Sequence, residues 1–233
     1  MSLGSNFHIT IGVDNLAECR AYYEALGFRP IDGHTEPYPW LQLYDGQLII
    51  ALHQDGLLYH GLTYFGADLA ERVAALEKKK VKFRIKNESE NQLVQAIFVA
   101  QNEIPISLVN FPSTPPARTE NPLLGKFGEY SLGVADLQAA SDYWQTLGFQ
   151  EAFRTDQPYP WAILSDGLLV IGLHQTDNFS GPILTYFAGD MEEKVVALRA
   201  DDPDWIEDLP EVGGYETTSP DGQRFFLFQG EIQ

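Results

Sequence analysis

Imidazole and carboxylate side chains stand at matched places along this chain, and both are good ligands for a divalent metal. His53 and His174 each close an apolar run, and Gln follows each of them. His8 opens an earlier run, and Glu129 stands in its place 121 residues later. Strand alternation puts His8, Thr10 and Gly12 on one face and Ile9, Ile11 and Val13 on the other, so His8 is expected to face away from the core. On residues 47–53 the same rule sends Leu48, Ile50 and Leu52 inward and leaves Ile49, Ala51 and His53 on the open side; the later copy gives Val170, Gly172 and His174. A histidine at a strand end is equally suited to satisfying a backbone carbonyl, which needs no metal. Trp40, Tyr44 and Tyr64, with Trp161 and Tyr186, are expected on the inner, cavity-lining faces that also carry His53 and His174. Rings with a polar tip there suit flat or amphipathic organic ligands, and they suit a core equally well. No Ser-His-Asp or activated-Cys constellation can be assembled from the spacing, and Cys19 on a helix face reads as inert core.

These residues sit in an internal repeat. PYPWLQLYDGQLIIALHQ (37–54) returns as PYPWAILSDGLLVIGLHQ (158–175), an offset of 174 − 53 = 121 for the two histidines. The offset carries Leu26-Gly27-Phe28 onto Leu147-Gly148-Phe149, and one inserted residue later Thr63-Tyr64-Phe65 maps onto Thr185-Tyr186-Phe187. Between the copies, PSTPPARTENP (112–122) favours an extended connector, because its prolines forbid regular helix. The expected organisation is therefore a domain over 6–111, a Pro-rich linker over 112–125 and a second domain over 126–231. Within a copy the order reads as strand (8–13), helix (16–26) stopped by Gly27, a strand near Ile31, a strand over 40–44, an Asp45-Gly46 turn and a strand over 47–53. A second unit of the same order follows: a strand over 62–65, a helix near 69–79, and strands near 82–85, 93–100 and 104–110. Each half thus holds two βαβββ runs. Met1 to Ser5 read as a leader outside the fold.

Bulk properties narrow the partners. A formal charge of −18 repels phosphate backbones, and Lys78 to Lys80 sit at a helix end where cations favour the macrodipole, so nucleic acid is excluded as a partner. One cysteine cannot form an internal disulfide and no signal-peptide pattern opens the chain, which leads to an expectation of a cytoplasmic protein. No apolar run approaches the roughly 20 residues of a membrane span, so no membrane partner is expected.

The ordered set of motifs resembles the vicinal oxygen chelate superfamily of glyoxalases, bleomycin-resistance proteins and extradiol dioxygenases. The residues that carry the resemblance are His8-Ile-Thr-Ile-Gly-Val-Asp-Asn-Leu, Tyr22-Tyr23 and Leu26-Gly27-Phe28. They return as Glu129-Tyr-Ser-Leu-Gly-Val-Ala-Asp-Leu, Tyr143-Trp144 and Leu147-Gly148-Phe149, and Ser219-Pro-Asp-Gly closes the last hairpin. The resemblance implies an α+β fold, in which paired βαβββ modules form cup-shaped, curled mixed sheets with helices outside, duplicated in one chain. It implies a ligand inside the cup and, in many members, a metal held from the first and last strands of the modules. His60 matches a further histidine ligand, with Pro182 as its counterpart, but the closing strands carry Ser107 and Phe226 where a glutamate is usual. The first half offers three imidazoles, His8, His53 and His60, enough for one divalent ion such as Zn, Fe, Mn, Ni or Co. The second half alone offers Glu129 and His174, and pairing of the halves as in some family dimers would gather Glu129, His174 and His60. The lost carboxylates favour a protein that binds a small organic molecule in a cavity lined by aromatics and histidines, without an obligatory metal. The alternative is a metal-dependent lyase, isomerase, dioxygenase or thiol transferase acting on a small oxygenated substrate. The fused duplication is compatible with a monomer or a homodimer.

Overall fold

Helix starts and stops are written into each copy, and they set where the strands begin. Asn15 Oδ1 accepts from the Glu18 N–H at 3.2 Å, and Asp136 Oδ1 accepts from the Ala139 N–H at 2.9 Å. Gly27 and Gly148 then end the two helices with φ of +90° and +110°, a region glycine enters without a Cβ clash. The computed structural model describes residues 2–117, 122–179, 181–200 and 205–231.

The first half runs β1 (Asn6–Gly12), α1 (Leu16–Ala25), β2 (Arg29–His34), β3 (Trp40–Tyr44) and β4 (Ile49–His53). It continues with β5 (Tyr59–Gly66), α2 (Leu69–Lys78), β6 (Phe83–Ser89), β7 (Gln92–Val99) and β8 (Pro105–Asn110). The second half repeats the order as β9 (Lys126–Gly133), α3 (Leu137–Leu147), β10 (Gln150–Thr155), β11 (Trp161–Ser165) and β12 (Val170–His174). Its remaining elements are β13 (Ile183–Ala188), α4 (Met191–Leu198), β14 (Glu207–Leu209), β15 (Gly214–Thr218) and β16 (Arg224–Gln229). The strand expected from Gln47 begins two residues later. Asp45 Oδ1 accepts from the N–H groups of Gln47 and Leu48, and this side-chain turn takes those groups out of the ladder. Asp166 does the same for Leu168 and Leu169.

Each half builds one eight-stranded mixed sheet, in the orders β2-β3-β4-β1-β5-β8-β7-β6 and β10-β11-β12-β9-β13-β16-β15-β14. The pairs β5–β8 and β13–β16 are parallel, each reached by a crossover through its helix, while the hairpins on either side are antiparallel. This is the expected α+β class with duplicated βαβββ modules.

Compactness does not follow the halves. One compact unit comprises residues 1–10, 59–115 and 132–181, and the other comprises 11–58, 116–131 and 182–233. Each unit therefore combines a module from one half with a module from the other. In the second unit, Tyr23 of α1 packs on Phe225 with ring centroids 6.0 Å apart, and Tyr22 bonds Thr217 at 2.8 Å. In the first, Leu62, Phe98, Ile106 and Leu108 are buried with Trp144 and Ile171. A buried side chain of this kind contributes about 1.5–3 kcal/mol.

One expectation needs amendment. Residues 2–5 belong to the fold: Leu3 is 1% exposed, Arg72 holds its carbonyl, and the Ser5 N–H bonds the Phe65 carbonyl at 2.7 Å. Along the proline-rich connector, residues 112–117 are irregular and 118–121 lie outside the described residues. No described helix is long and apolar enough to cross a membrane.

Candidate functional site

The repeated Pro-Tyr-Pro-Trp and the histidine fifteen residues after its tyrosine build one cluster in each copy. The hairpin register pairs Trp40 with His53 and Trp161 with His174 as cross-strand neighbours. The Trp161 and His174 rings lie 5.7 Å apart at 5°, and those of Trp40 and His53 lie 6.4 Å apart at 18°. From the loop before the strand, the Tyr38 hydroxyl meets His53 Nδ1 at 3.3 Å and the Tyr159 hydroxyl meets His174 Nδ1 at 3.2 Å. The histidine carbonyls accept from Val13 and Val134, each at 2.8 Å. The strand-end carbonyl is thus satisfied by backbone, and the imidazole meets the tyrosine and the indole. Burial lowers the His53 pKa from its usual value, against an opposing pull from Asp55, so the ring is neutral at pH 7. His34 extends the first cluster at 5.8 Å from Trp40, and Phe153 and Phe179 flank the second, each at 5.1 Å from its neighbour. Trp40, Trp161, His53 and His174 are all half-buried, so ring surface remains open to a ligand.

A second feature is a row of hydroxyls. Thr10 on β1 and Thr63 on β5 are hydrogen-bonded at 2.7 Å, and Ser131 on β9 bonds Thr185 on β13 at the same 2.7 Å. In the first half Thr63 pairs across to Ser107, whose Oγ accepts from Gln95 Nε2 at 3.0 Å, and Gln95 Oε1 accepts from Asn87 at 2.8 Å. In the second half Thr185 lies between Glu129 and Phe226 in register, and Ser131 donates to Glu129 Oε1 at 2.6 Å.

The positions expected from the sequence fall out unevenly. Trp40, Trp161, His53 and His174 come together as described. His8 is buried on the Thr10 face, with its ring 4.4 Å from that of Phe65. Glu129, 9% exposed, lies on the Ser131 face. Tyr64 and Tyr186 alternate with Thr63 and Thr185, so they point to the opposite, core face instead of the expected inner one. Tyr186 donates to Asp45 Oδ2 at 2.7 Å and packs 6.3 Å from Phe225. Tyr44 is 1% exposed, and its hydroxyl donates to the carbonyls of Pro116 and Ala117. His60 shares its strand face with Leu62 and Tyr64, opposite to Thr63, which removes it from the face of His8. Tyr38 and Tyr159 were missed as site residues, although the equal spacing to the histidine in both copies was a signal for them. Thr63 repeats as Thr185 and Ser107 stands where the resemblance implies a glutamate, but nothing in the sequence pairs their hydroxyls with Thr10 and Gln95.

The metal expectation can be tested on the donors. Across the faces where a chelating set was expected, the second half presents Glu129, Thr185 and Phe226, and the first presents His8, Thr63 and Ser107. A carboxylate with a hydroxyl and a phenyl ring, or an imidazole with two hydroxyls, falls short of three imidazole, thiolate or carboxylate donors. Neither the set His8, His53, His60 nor the set Glu129, His174, His60 is assembled. Among the described residues no three His, Cys, Asp or Glu side chains are placed to hold a metal ion.

No family model matches the sequence, and no curated protein matches it. Solved structures do match. The chain is similar to a catechol 2,3-dioxygenase at 15% identity and TM-score 0.66, over 100% of this chain and 91% of that one. It is similar to homoprotocatechuate 2,3-dioxygenase from Arthrobacter globiformis at 17% identity and TM-score 0.66, over 97% and 79% of the two chains. The Brevibacterium fuscum enzyme of the same name gives 15% identity and TM-score 0.65, over 97% and 71%. What this chain shares with them at such identities is the fold.

Proposed function

We propose that this protein binds a small, flat organic molecule against the exposed ring surface of the cluster around Trp40 or, as a separate site, of the cluster around Trp161, and that binding needs no metal. The observation that carries the reading is the Tyr–His–Trp cluster, present in both copies with the same hydrogen bond and the same stacking. Tyr38 and Tyr159 anchor the histidines, and each histidine supports one face of an indole. The indole is thereby held rigid, which lowers the entropic cost of packing a ligand against the ring surface that stays exposed.

A second reading is a metal-dependent ring-cleaving dioxygenase. The fold likeness to enzymes named for catechol and homoprotocatechuate favours it, and the donor sets count against it.

Titration of the purified protein with catechol and with 2-naphthol, followed by tryptophan fluorescence and calorimetry, tests both readings. Saturable binding that survives EDTA and is weakened about fivefold or more in Trp40→Leu or Trp161→Leu supports the first; burying a ring face against a rigid aromatic is worth about 1–3 kcal/mol. Oxygen uptake with catechol that depends on added Fe(II) replaces it with the second.

A further inference from the structure

The hydroxyl row of the first half differs from its counterpart in one respect that bears on ligand chemistry: where its protons go. In the second half Ser131 gives its proton to Glu129, so Thr185 must be the donor to Ser131, and both protons are consumed within the chain of bonds. The position equivalent to Ser107 is Phe226, which offers no hydroxyl. In the first half Gln95 donates to Ser107 Oγ, and its amide is oriented by Asn87 on its oxygen. An amide nitrogen cannot accept, so the Ser107 proton is not spent on Gln95. Thr10 and Thr63 share a single hydrogen bond, which uses one of their two protons. The three hydroxyls therefore keep two protons and several lone pairs for a further partner. Thr63, Ser107 and Gln95 are half-buried, so that partner can reach them while most water is excluded.

We propose that Thr10, Thr63 and Ser107, oriented by Gln95, form a hydrogen-bonding subsite for the hydroxyl group of an uncharged ligand, in the place where the fold led us to expect a chelated metal. A hydroxyl both donates and accepts, which matches what the row offers. Apart from the buried His8 ring, which packs on Phe65, the residues that share the face by register and alternation, Gly61, Phe65, Pro105, Val109 and Ile97, carry no titratable group, so an ion would gain little compensating charge here. The inference is independent of ring stacking at Trp40 and Trp161.

The test uses the full chain with 13C-methyl-labelled threonine, titrated with benzyl alcohol and with its apolar isostere ethylbenzene. Benzyl alcohol should shift the Thr10 and Thr63 methyl signals saturably, with ethylbenzene binding there more weakly. Ser107→Ala should weaken the alcohol by about 2- to 12-fold, the range of one net hydrogen bond, and leave ethylbenzene unchanged. Thr63→Val, which keeps the shape of the side chain, gives a second reading should Ser107→Ala fail to fold. Absence of a saturable shift, equal affinity for the two probes, unchanged affinity in the variants, or a shift that needs added Zn and vanishes with chelator would each overturn the proposal. Shifts of the Trp161 indole signal with silent Thr10 and Thr63 methyls would overturn it and leave ring stacking standing. The reverse pattern would overturn the stacking reading alone.

Discussion

Removing one phenolic oxygen should have opposite effects at two buried tyrosines, and the hydrogen bonds say which way each goes. The Tyr186 hydroxyl donates to Asp45 Oδ2 at 2.7 Å, while Asp45 Oδ1 already takes the N–H groups of Gln47 and Leu48. Tyr186→Phe thus strips one carboxylate oxygen of its donor inside the core and should cost about 1.5–3 kcal/mol, the range for a hydrogen bond to a charged group. For a chain of this size that lowers Tm by about 3–12 °C. The Tyr130 hydroxyl is equally buried but has no hydrogen-bond partner among the described residues. Tyr130→Phe should be neutral or stabilising by up to about 1–2 kcal/mol, because it removes a polar group buried without compensation. The pH dependence adds a second signature. Burial raises the Asp45 pKa above its usual value, outweighing the hydrogen bonds from Leu48, Tyr186 and Gln47 that lower it. A raised carboxyl pKa means the folded protein holds the proton more tightly than the unfolded chain. Its contribution is present in full below the unfolded pKa and is lost as pH rises through the folded value. Tyr186→Phe removes a donor to the charged form and raises that pKa further, so its cost should be largest at pH 7 and shrink toward pH 4. Urea unfolding of wild type and both variants at the two pH values measures this. Equal costs for the two tyrosines, or a Tyr186→Phe cost that grows on acidification, would refute the reasoning.

Three other outcomes follow from local geometry. Cys19 is buried beside Asp221, and burial with that carboxylate pushes its thiol up to about 12; it should resist a disulfide reagent at pH 8 in the native protein and react at once in urea. Leu3→Ala should destabilise by about 2–5 kcal/mol, as for a core leucine, and a loss below about 0.5 kcal/mol in a urea titration would return residues 2–5 to the status of a leader. Asn15→Ala and Asp136→Ala should each cost about 1 kcal/mol by removing an N-cap acceptor, whereas Gln138→Ala on the exposed helix surface should cost almost nothing by the same assay.

Much of the fold was legible because it is written locally and twice. Asn15 and Asp136 before their helices, Gly27 and Gly148 after them, and the Asp-Gly turns all act within a few residues, and the 121-residue offset repeats each signal. The site was legible only where alternation was unambiguous. On residues 47–53 Leu48, Ile50 and Leu52 mark one face plainly, and His53 pairs across with Trp40. On β5 both faces carry bulky residues, Leu62 and Tyr64 against Thr63 and Phe65, so nothing local chooses between them. A one-residue error then sends His60 and Tyr64 to the wrong side, and the true face is fixed by pairing with β8 and by the bond to Thr10. The loop tyrosines escaped for a related reason: they precede β3 and β11, where no strand alternation applies, so nothing local aims Tyr38 or Tyr159 at a histidine.

The interleaved make-up of the compact units sets a schedule for the ribosome. The second unit needs residues 11–58 and 182–233, so 181 − 58 = 123 residues must be added between its first and last large segments. At about 5–20 residues per second, that is a wait of roughly 6–25 s. Throughout it Tyr22 and Tyr23 lack the Thr217 and Phe225 that later cover them. Slowed translation across the second half should therefore lengthen the exposure of a hydrophobic nascent segment, and the yield of this protein should depend on holdase chaperones more than its modest length suggests.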